Sequence, residues 1–259
     1  MGHREEQDLP GRQDSHLLTC SLLTVPFPDG EMFLYLCGCP AAMDTPTLLL
    51  ALRGIRAEVR RFRAPIVTQV SWARDPYLVL VSCLISLRTK DEVTAKATKR
   101  LFALATTPEK MARLSPKRIE KAIYPAGFYR TKARTLISVS HTLLERHGGK
   151  VPDTMEELLA LKGVGRKTAN LVLGLGFGKP AICVDTHVHR ISNRLGYVKT
   201  KTPEHTEMAL RRALPRRYWQ IYNDLLVTFG QNQCLPVSPR CSTCALSSMC
   251  AAVGVERKR

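Results

Sequence analysis

From residue 44 to the C-terminal end, apolar residues recur at the spacing of α-helices. The segment 76–87 is almost wholly apolar and long enough for a buried helix. In the segment 90–104, four apolar residues share one helical face, Val93, Ala97, Leu101 and Leu104. No segment after residue 43 alternates apolar and polar residues as a half-buried strand does. These patterns predict an all-α fold.

Local signals mark the ends of several predicted helices. Ser115 followed by Pro116 predicts a short helix over 116–124, and Gly148 ends a helix that starts near residue 130. The stretch Asp153–Glu156, a cap with an acid three residues on, starts another. Further helices are expected at 165–175, 186–195, 203–214 and 216–229. In the helix 130–147 we expect one face to comprise Ala133, Ile137, His141 and Leu144.

The charge of the chain is strongly positive and unevenly spread. The 259 residues include 39 Lys and Arg against 22 Asp and Glu, a net charge of +17. Residues 1–43 carry net −4 and residues 44–259 carry net +21. Such a basic chain is typical of a polyanion-binding protein, with nucleic acid the first expectation and an anionic membrane surface the second. No apolar run reaches the roughly 18–20 residues of a spanning helix.

The first 43 residues differ in composition from the rest. We interpret 1–43 as a poorly ordered N-terminal extension with one short ordered stretch at Glu31–Leu36. Acids at Glu5, Glu6 and Asp8 argue against a signal or transit peptide. Met43 is a plausible alternative start.

Six of the nine cysteines form two groups with different expected roles. Cys83 and Cys183 lie in apolar runs and are expected to be small buried hydrophobic residues. The last four follow a C-x6-C-x2-C-x5-C spacing: Cys234, Cys241, Cys244 and Cys250. Four thiolates this close need a metal, either zinc or an iron–sulfur cluster. A single C-x2-C pair favours iron–sulfur, and structural zinc remains the alternative.

The strongest local motif is Lys162-Gly163-Val164-Gly165-Arg166-Lys167 between two predicted helices. Two glycines allow a tight turn, and free N–H groups at the second helix attract an anion. This is the helix–hairpin–helix arrangement that holds a DNA phosphate without reading sequence. The alternative is a plain helical turn with exposed lysines.

A second motif surrounds Asp185, which follows an apolar stretch and precedes a helix. Asp is a good N-cap, and a capping carboxylate beside a groove can also accept a proton. His187 and His189 are two residues apart and do not share a helical face, which argues against a shared metal.

In this order, the hairpin with Lys167, the segment around Asp185 and the four-cysteine loop resemble the endonuclease III family over about residues 60–252. The segments 84–91 and 126–132 also look like family segments. The resemblance implies two helical subdomains flanking a DNA-binding cleft. One would comprise residues 68–178, with the helix–hairpin–helix at about 154–175. The other would comprise 44–67 and 179–259, with a [4Fe–4S] cluster on the four C-terminal cysteines.

The resemblance also implies roles for individual residues. The Lys167 amine would attack C1′ of a nucleoside bearing an oxidised pyrimidine and form a Schiff base, assisted by Asp185, and β-elimination would follow. Phe128 looks like the family's wedge residue; the alternative is a core aromatic. Arg88 stands where the bacterial enzyme typically has glutamine, which puts the opposite-base preference in doubt. His187 and the hairpin residues Lys162, Gly163, Val164, Gly165 and Arg166 would contact DNA.

The implied partner is double-stranded DNA containing damaged bases or abasic sites, bound by a monomer with no membrane partner. The expected location is a bacterial or archaeal cytoplasm, at the nucleoid, or the nucleus of a eukaryote. One alternative is a mismatch-specific adenine, thymine or uracil glycosylase of the same superfamily; the adenine enzyme normally lacks the hairpin lysine. The other is a non-catalytic helix–hairpin–helix module with structural zinc.

Overall fold

A computed structural model describes residues 21–26, 32–37 and 43–259, in two compact units, Met1–Ala41 and Ala42–Arg259. In the first unit, strands β1 (Ser21–Pro26) and β2 (Met32–Cys37) pair antiparallel. Strand β2 overlaps the ordered stretch predicted at 31–36. Strand β1 also lies within the predicted extension, and the other residues up to 42 lie outside the described residues.

The second unit is helical, and the chain from residue 43 onward contains no strand, which confirms the all-α prediction for this part. Met43 is buried in its core. The helices are α1 (Thr45–Val59), α2 (Ile66–Ser71), α3 (Pro76–Ser86), α4 (Asp91–Phe102), α5 (Pro108–Ala112), α6 (Pro116–Ile123), α7 (Tyr129–His147), α8 (Met155–Ala160), α9 (Arg166–Leu171), α10 (Thr186–Arg194), α11 (Pro203–Ala213) and α12 (Trp219–Asn232). A π-helical turn, Val172–Gly176, continues α9, and a 3-10 turn, Arg216–Tyr218, precedes α12.

Several helix ends follow the predicted signals. The Ser115 hydroxyl accepts a hydrogen bond from the Arg118 N–H at 3.4 Å and caps α6. Gly148 ends α7 in the left-handed conformation, with φ of 57°, which a glycine adopts without steric cost.

The predicted cap of α8 is wrong by one residue. Thr154, rather than Asp153, is the N-cap: its hydroxyl accepts from the Glu157 N–H at 3.3 Å and donates to the Glu157 carboxylate at 2.7 Å. Thr154 and Glu157 have the Thr-x-x-Glu spacing of a capping box, and here the Glu157 carboxylate binds the Thr154 hydroxyl and not the backbone N–H of Thr154. The Asp153 carboxylate is instead 2.7 Å from the Lys179 ammonium, so a long-range ion pair removes it from the helix end.

The predicted face of α7 is also wrong in part. His141 is exposed, whereas the buried residues of α7 are Lys132, Ala133, Leu136, Val139, Ser140 and Leu143. Ser140 is buried because its hydroxyl hydrogen bonds with the Tyr77 hydroxyl at 2.8 Å and donates to the Leu136 carbonyl at 2.8 Å. Two polar residues with hydrogen-bond partners, Lys132 and Ser140, thus lie on the buried face of α7. The face predicted from the apolar pattern alone is shifted from the observed one by about one residue.

The helices of the second unit surround two hydrophobic clusters. One is formed by α2–α9 and contains the predicted buried cysteines Cys83 and Cys183. The other is formed by α1, α10, α11 and α12, and includes Leu48, Tyr222 and Phe229.

The extended segment Ala181–Val184 runs between these clusters. Ala181 and Cys183 pack into the first cluster, and Ile182 and Val184 pack into the second. Because successive side chains of an extended chain point to opposite sides, the segment buries both of its faces. It ends directly at Asp185, which is therefore positioned where the two clusters meet.

No helix in the described part of the chain combines the length and the apolar character needed to span a bilayer.

The capping box of α8 makes a stability prediction. We expect Thr154→Ala to lower the free energy of unfolding by about 1 kcal/mol, because the Glu157 N–H loses its acceptor. Asp153→Ala removes only an exposed ion pair and should cost less than about 0.5 kcal/mol. Urea denaturation of both variants measures the difference, and a larger loss for Asp153→Ala would contradict the assignment.

Candidate active site

Lys167 and Asp185 face each other at the N-terminal ends of two helices. The Lys167 Nζ is 3.7 Å from the Asp185 Oδ2. The other carboxylate oxygen, Oδ1, accepts the N–H groups of His187 and Val188, each at 2.9 Å, and caps α10 as the sequence predicts. The side chain of Asp185 is 10% exposed and that of Lys167 is 43% exposed. One oxygen therefore holds the helix while the second faces an amine that solvent and ligands can reach.

The backbone of Lys167 lies against buried groups of the protein. The Cys183 thiol lies 3.8 Å from the Lys167 carbonyl oxygen, and Thr168, Ala169 and Asn170 are buried. Burial raises the pKa of the Cys183 thiol well above its ordinary value, so the group beneath Lys167 is a neutral thiol. The amine is consequently attached to a rigid part of the helix.

A cavity of about 190 Å³ opens beside this pair. Lys167 and Asp185 both line it, and its wall combines apolar with polar side chains. The polar residues that line it include Ser86, Thr89, Asp91, Thr186 and His187. Such a mixture suits a flat ligand with hydrogen-bonding edges.

His187 borders the cavity with its ring packed against Gly230. A Cβ added at residue 230 would lie 2.6 Å from the His187 Nδ1, so only glycine leaves room for the ring as it stands. Burial lowers the pKa of the imidazole, which is therefore neutral at pH 7, and its Nδ1 lies 3.2 Å from the Arg190 guanidinium. The His189 ring instead hydrogen bonds with the Thr206 hydroxyl at 2.7 Å.

The predicted hairpin joins α8 to α9. Gly163 has a φ of +78°, and a Cβ there would lie 2.9 Å from a methyl group of Thr135. Val164 is buried, whereas Lys162 and both glycines are exposed. A Cβ at Gly165 would meet nothing within 4 Å, and α9 has no side-chain cap. The turn thus leaves its backbone open to an approaching anion.

Arg166 forms an ion pair within the protein. Its Nη2 and Nε lie 2.8 and 3.2 Å from the two carboxylate oxygens of Glu207 on α11. Arg211 donates to the same carboxylate at 3.0 Å, and Glu207 is 4% exposed. Glu207 is not predictable from the sequence, because its partner Arg166 is 41 residues away and leaves no local signal. Contact between DNA and the exposed part of the Arg166 side chain stays a prediction.

Arg88 and Phe128 lie together on two neighbouring loops, and both are exposed. The Arg88 guanidinium carbon is 5.7 Å from the centre of the Phe128 ring. With 63% of its surface exposed, Phe128 is not a core aromatic, which removes the alternative interpretation. Both residues have positive φ, 51° and 56°. The buried Lys132 behind these loops was assigned no role from the sequence.

The four C-terminal cysteines line one cavity of about 530 Å³. Arg194 holds the loop between them, since its guanidinium donates to the carbonyls of Leu235 and Pro236 at 2.6 and 2.7 Å and lies 3.4 Å from the Cys234 thiol. In the described residues, no three His, Cys, Asp or Glu side chains converge closely enough to hold one metal ion. The cavity has room for a group larger than a single ion, and the donor set consists of thiols.

Comparison with known proteins decides the family. Residues 81–216 match the HhH-GPD superfamily of base excision DNA repair proteins. Endonuclease III of Thermotoga maritima is 52% identical over 176 residues, which cover 68% of this chain and 83% of the relative. The chain belongs to the endonuclease III family.

Two further comparisons agree with this membership. Endonuclease III-like protein 1 of Bos taurus is 44% identical over 179 residues, which cover 68% of this chain and 59% of the relative. A solved structure of a trapped endonuclease III–DNA covalent intermediate superposes with a TM-score of 0.69 at 32% identity, covering 79% of this chain and 94% of that one. The chain is therefore a base-excision repair enzyme of the DNA glycosylase and lyase type. The family carries a [4Fe–4S] cluster.

The ion pairs of Glu207 make a second stability prediction. We expect Glu207→Gln to lower the free energy of unfolding by about 2–3 kcal/mol, because two arginines lose their charged acceptor in a partly buried place. Glu204→Gln changes an exposed acid on the same helix and should cost much less, because solvent screens its charge. Chemical denaturation compares them, and equal losses would show that the buried carboxylate has no special role.

Proposed function

We propose that this chain removes oxidised pyrimidines from duplex DNA through a Schiff base on Lys167 and then cleaves the strand at the resulting abasic site. The observation that supports this most directly is the 3.7 Å approach of the Lys167 amine to the Asp185 carboxylate at the edge of the cavity. The family membership supplies the reaction class.

In the first step, the lone pair of the neutral Lys167 Nζ forms a bond to C1′ while the N-glycosidic bond breaks. The base leaves with the electron pair of that bond and is protonated. Asp185 Oδ2, the oxygen not used in capping, is placed to take a proton from the amine and to offset positive charge that develops on the sugar. Loss of the second amine proton and opening of the sugar ring give an imine between Nζ and C1′.

In the second step, the imine acidifies the C2′ proton. Removal of that proton and departure of the 3′ phosphate, with the electron pair of its C–O bond, break the strand by β-elimination. Water then releases Lys167. The chemistry in both steps is assigned to an amine and a carboxylate already in contact.

DNA binding is assigned to the surface around the cavity. The open turn at Gly163 and Gly165, with Lys162 beside it, is suited to a phosphate. Phe128 and Arg88 would enter the duplex where the damaged base has left the stack, and His187 would line the path of that base. The net charge of +21 after residue 43 favours binding to a polyanion such as DNA. We propose a monomer that acts where chromosomal DNA lies, in the cytoplasm or the nucleus.

The C-terminal cysteines fit the family's cluster. Cys234, Cys241, Cys244 and Cys250 line one cavity, and a [4Fe–4S] cluster takes four thiolate ligands. When bound, the cluster would cross-link this loop and add a redox-capable group. The chain's own contribution is positional: Arg194 holds the backbone between the first two cysteines, and Arg240 in the same loop is exposed for a phosphate contact.

Trapping with borohydride tests the chemistry. The full chain is incubated with a duplex that carries one thymine glycol and with a duplex that carries one abasic site. We expect a covalent band on both duplexes, and its loss in Lys167→Gln, because the reducible imine needs the ε-amine. Lys162→Gln is the matched control, since it removes a neighbouring hairpin amine; it should still be trapped, at lower DNA affinity.

The other outcomes distinguish the alternatives. A band on the abasic duplex alone would keep the lyase chemistry and reject oxidised pyrimidine as the substrate. No band on either duplex would leave a mismatch glycosylase or a non-catalytic DNA-binding module. Full trapping of Lys167→Gln would contradict the choice of nucleophile.

Metal analysis tests the cysteine cavity. We expect the purified chain to be brown and to contain about four iron atoms, and Cys244→Ser to lose both colour and iron because one ligand is missing. Cys83→Ala changes a buried cysteine of the other cluster of helices and should keep both. A colourless protein that contains zinc instead would show that the loop is a structural zinc site.

A further inference from the structure

Lys132 is a buried cation without an acidic partner. Its side chain is on the inner face of α7, with 7% of its surface exposed. Among the described residues no carboxylate pairs with it; its Nζ donates to the carbonyls of Ile85 and Leu87, both at 2.6 Å, and to the Thr89 hydroxyl at 2.8 Å. A buried charge is costly unless it is fully hydrogen bonded, so this arrangement calls for a reason.

The three acceptors identify what Lys132 holds. Ile85 is near the end of α3, and Leu87 and Thr89 are on either side of Arg88. The ammonium thus occupies the C-terminal end of α3, where carbonyls lack helical partners and the helix dipole favours a cation. Three acceptors need three donors, which only the protonated amine supplies. Burial lowers the pKa of Lys132 to about 8, which still leaves the group charged at pH 7.

The same cluster of hydrogen bonds reaches the second loop. The Thr89 hydroxyl, which accepts from the Lys132 ammonium, also accepts the N–H of Gly127, the residue before Phe128, at 3.1 Å. A Cβ at Gly127 would lie 2.5 Å from the Arg88 carbonyl oxygen, so the two loops touch through their backbones. Lys132 is therefore the side chain that joins the loop of Arg88 to the helix that Phe128 begins.

Both loops carry a residue in an unfavourable conformation. Arg88 and Phe128 are not glycines, yet they adopt φ of 51° and 56°. Such conformations persist only where the surroundings enforce them, and they are concentrated at functional positions. The hydrogen bonds of Lys132 and Thr89 are made to the residues directly adjacent to both positions, Leu87 and Thr89 beside Arg88 and Gly127 before Phe128.

We propose that Lys132 is a positioning residue that fixes the loops of Arg88 and Phe128 as one rigid wedge for entry into duplex DNA. This inference rests on the proposed function, because it assigns Lys132 to the base-extrusion step and not to the chemistry. A side chain that merely stabilised the fold would affect every substrate alike. A positioning residue affects only substrates whose base stack must be opened.

The test compares Lys132→Met with the unaltered chain on two substrates. One is a single-stranded oligonucleotide with an abasic site, which needs no wedge; the other is a duplex with one thymine glycol. We expect the rate of borohydride trapping on the single strand to change less than about twofold. On the duplex it should fall about 10- to 100-fold, the size of loss that misplacement by about 1 Å causes.

Ser140→Ala is the matched control. Ser140 is buried on the same helix, about two turns after Lys132, and its hydroxyl hydrogen bonds with that of Tyr77 and not with either loop. It should leave the ratio of duplex to single-strand rates unchanged. A second readout is the fluorescence of 2-aminopurine placed opposite the lesion. Its rise on binding reports unstacking, and we expect it to be lost in Lys132→Met alone.

Equal losses on both substrates, or an unchanged 2-aminopurine signal, would overturn the positioning role and leave the proposed function intact. Absence of trapping by the unaltered chain on both substrates would instead overturn the proposed function and this role with it. If circular dichroism shows that Lys132→Met is unfolded, Thr89→Val replaces it, because it removes one acceptor and the link to Gly127. The ratio of the duplex to the single-strand trapping rate is then compared between Thr89→Val and the unaltered chain.

Discussion

The active site depends on the packing of the short extended segment Ala181–Val184 between two hydrophobic clusters. Its side chains alternate between the two clusters. A shift of the segment by one residue would therefore turn each side chain toward the opposite cluster. Asp185 follows directly, and Cys183 within the segment touches the backbone of Lys167. The separation of the amine and the carboxylate is therefore a consequence of how two apolar cores share one piece of chain.

Directional polar contacts complete what apolar packing begins. Glu207 on α11 binds Arg166, the residue before Lys167, while His189 on α10 hydrogen bonds with Thr206 on α11. The Asn223 amide from α12 donates to the Cys183 carbonyl at 3.2 Å. Each contact joins two different elements, and a hydrogen bond tolerates less displacement than an apolar contact. Together they hold the helices that carry Lys167 and Asp185 in one arrangement.

The sequence predicted those parts of the molecule that local rules govern. Helix ends at Ser115 and Gly148, and the cap at Asp185, follow from side chains acting on adjacent backbone, and the helical spacing indicated the all-α class. Contacts between residues distant in the sequence could not be predicted from these local rules. Asp153 failed as a cap because Lys179 binds it, and the face of α7 shifted because Tyr77 satisfies Ser140 inside the core. The engagement of Arg166 with Glu207 and the burial of Lys132 are likewise set by residues that only the fold brings close.

Asp185 uses its two oxygens for two purposes, and this restricts how the position can change over evolutionary time. Most replacements remove the cap and weaken α10, so selection for a folded protein alone disfavours them. Asparagine retains a capping oxygen, and a chain with that change would keep its fold and its affinity for DNA while lacking the carboxylate. On the proposed mechanism, such a variant would bind lesions without processing them. The replacement that disturbs the fold least at this position is thus one that separates binding from chemistry.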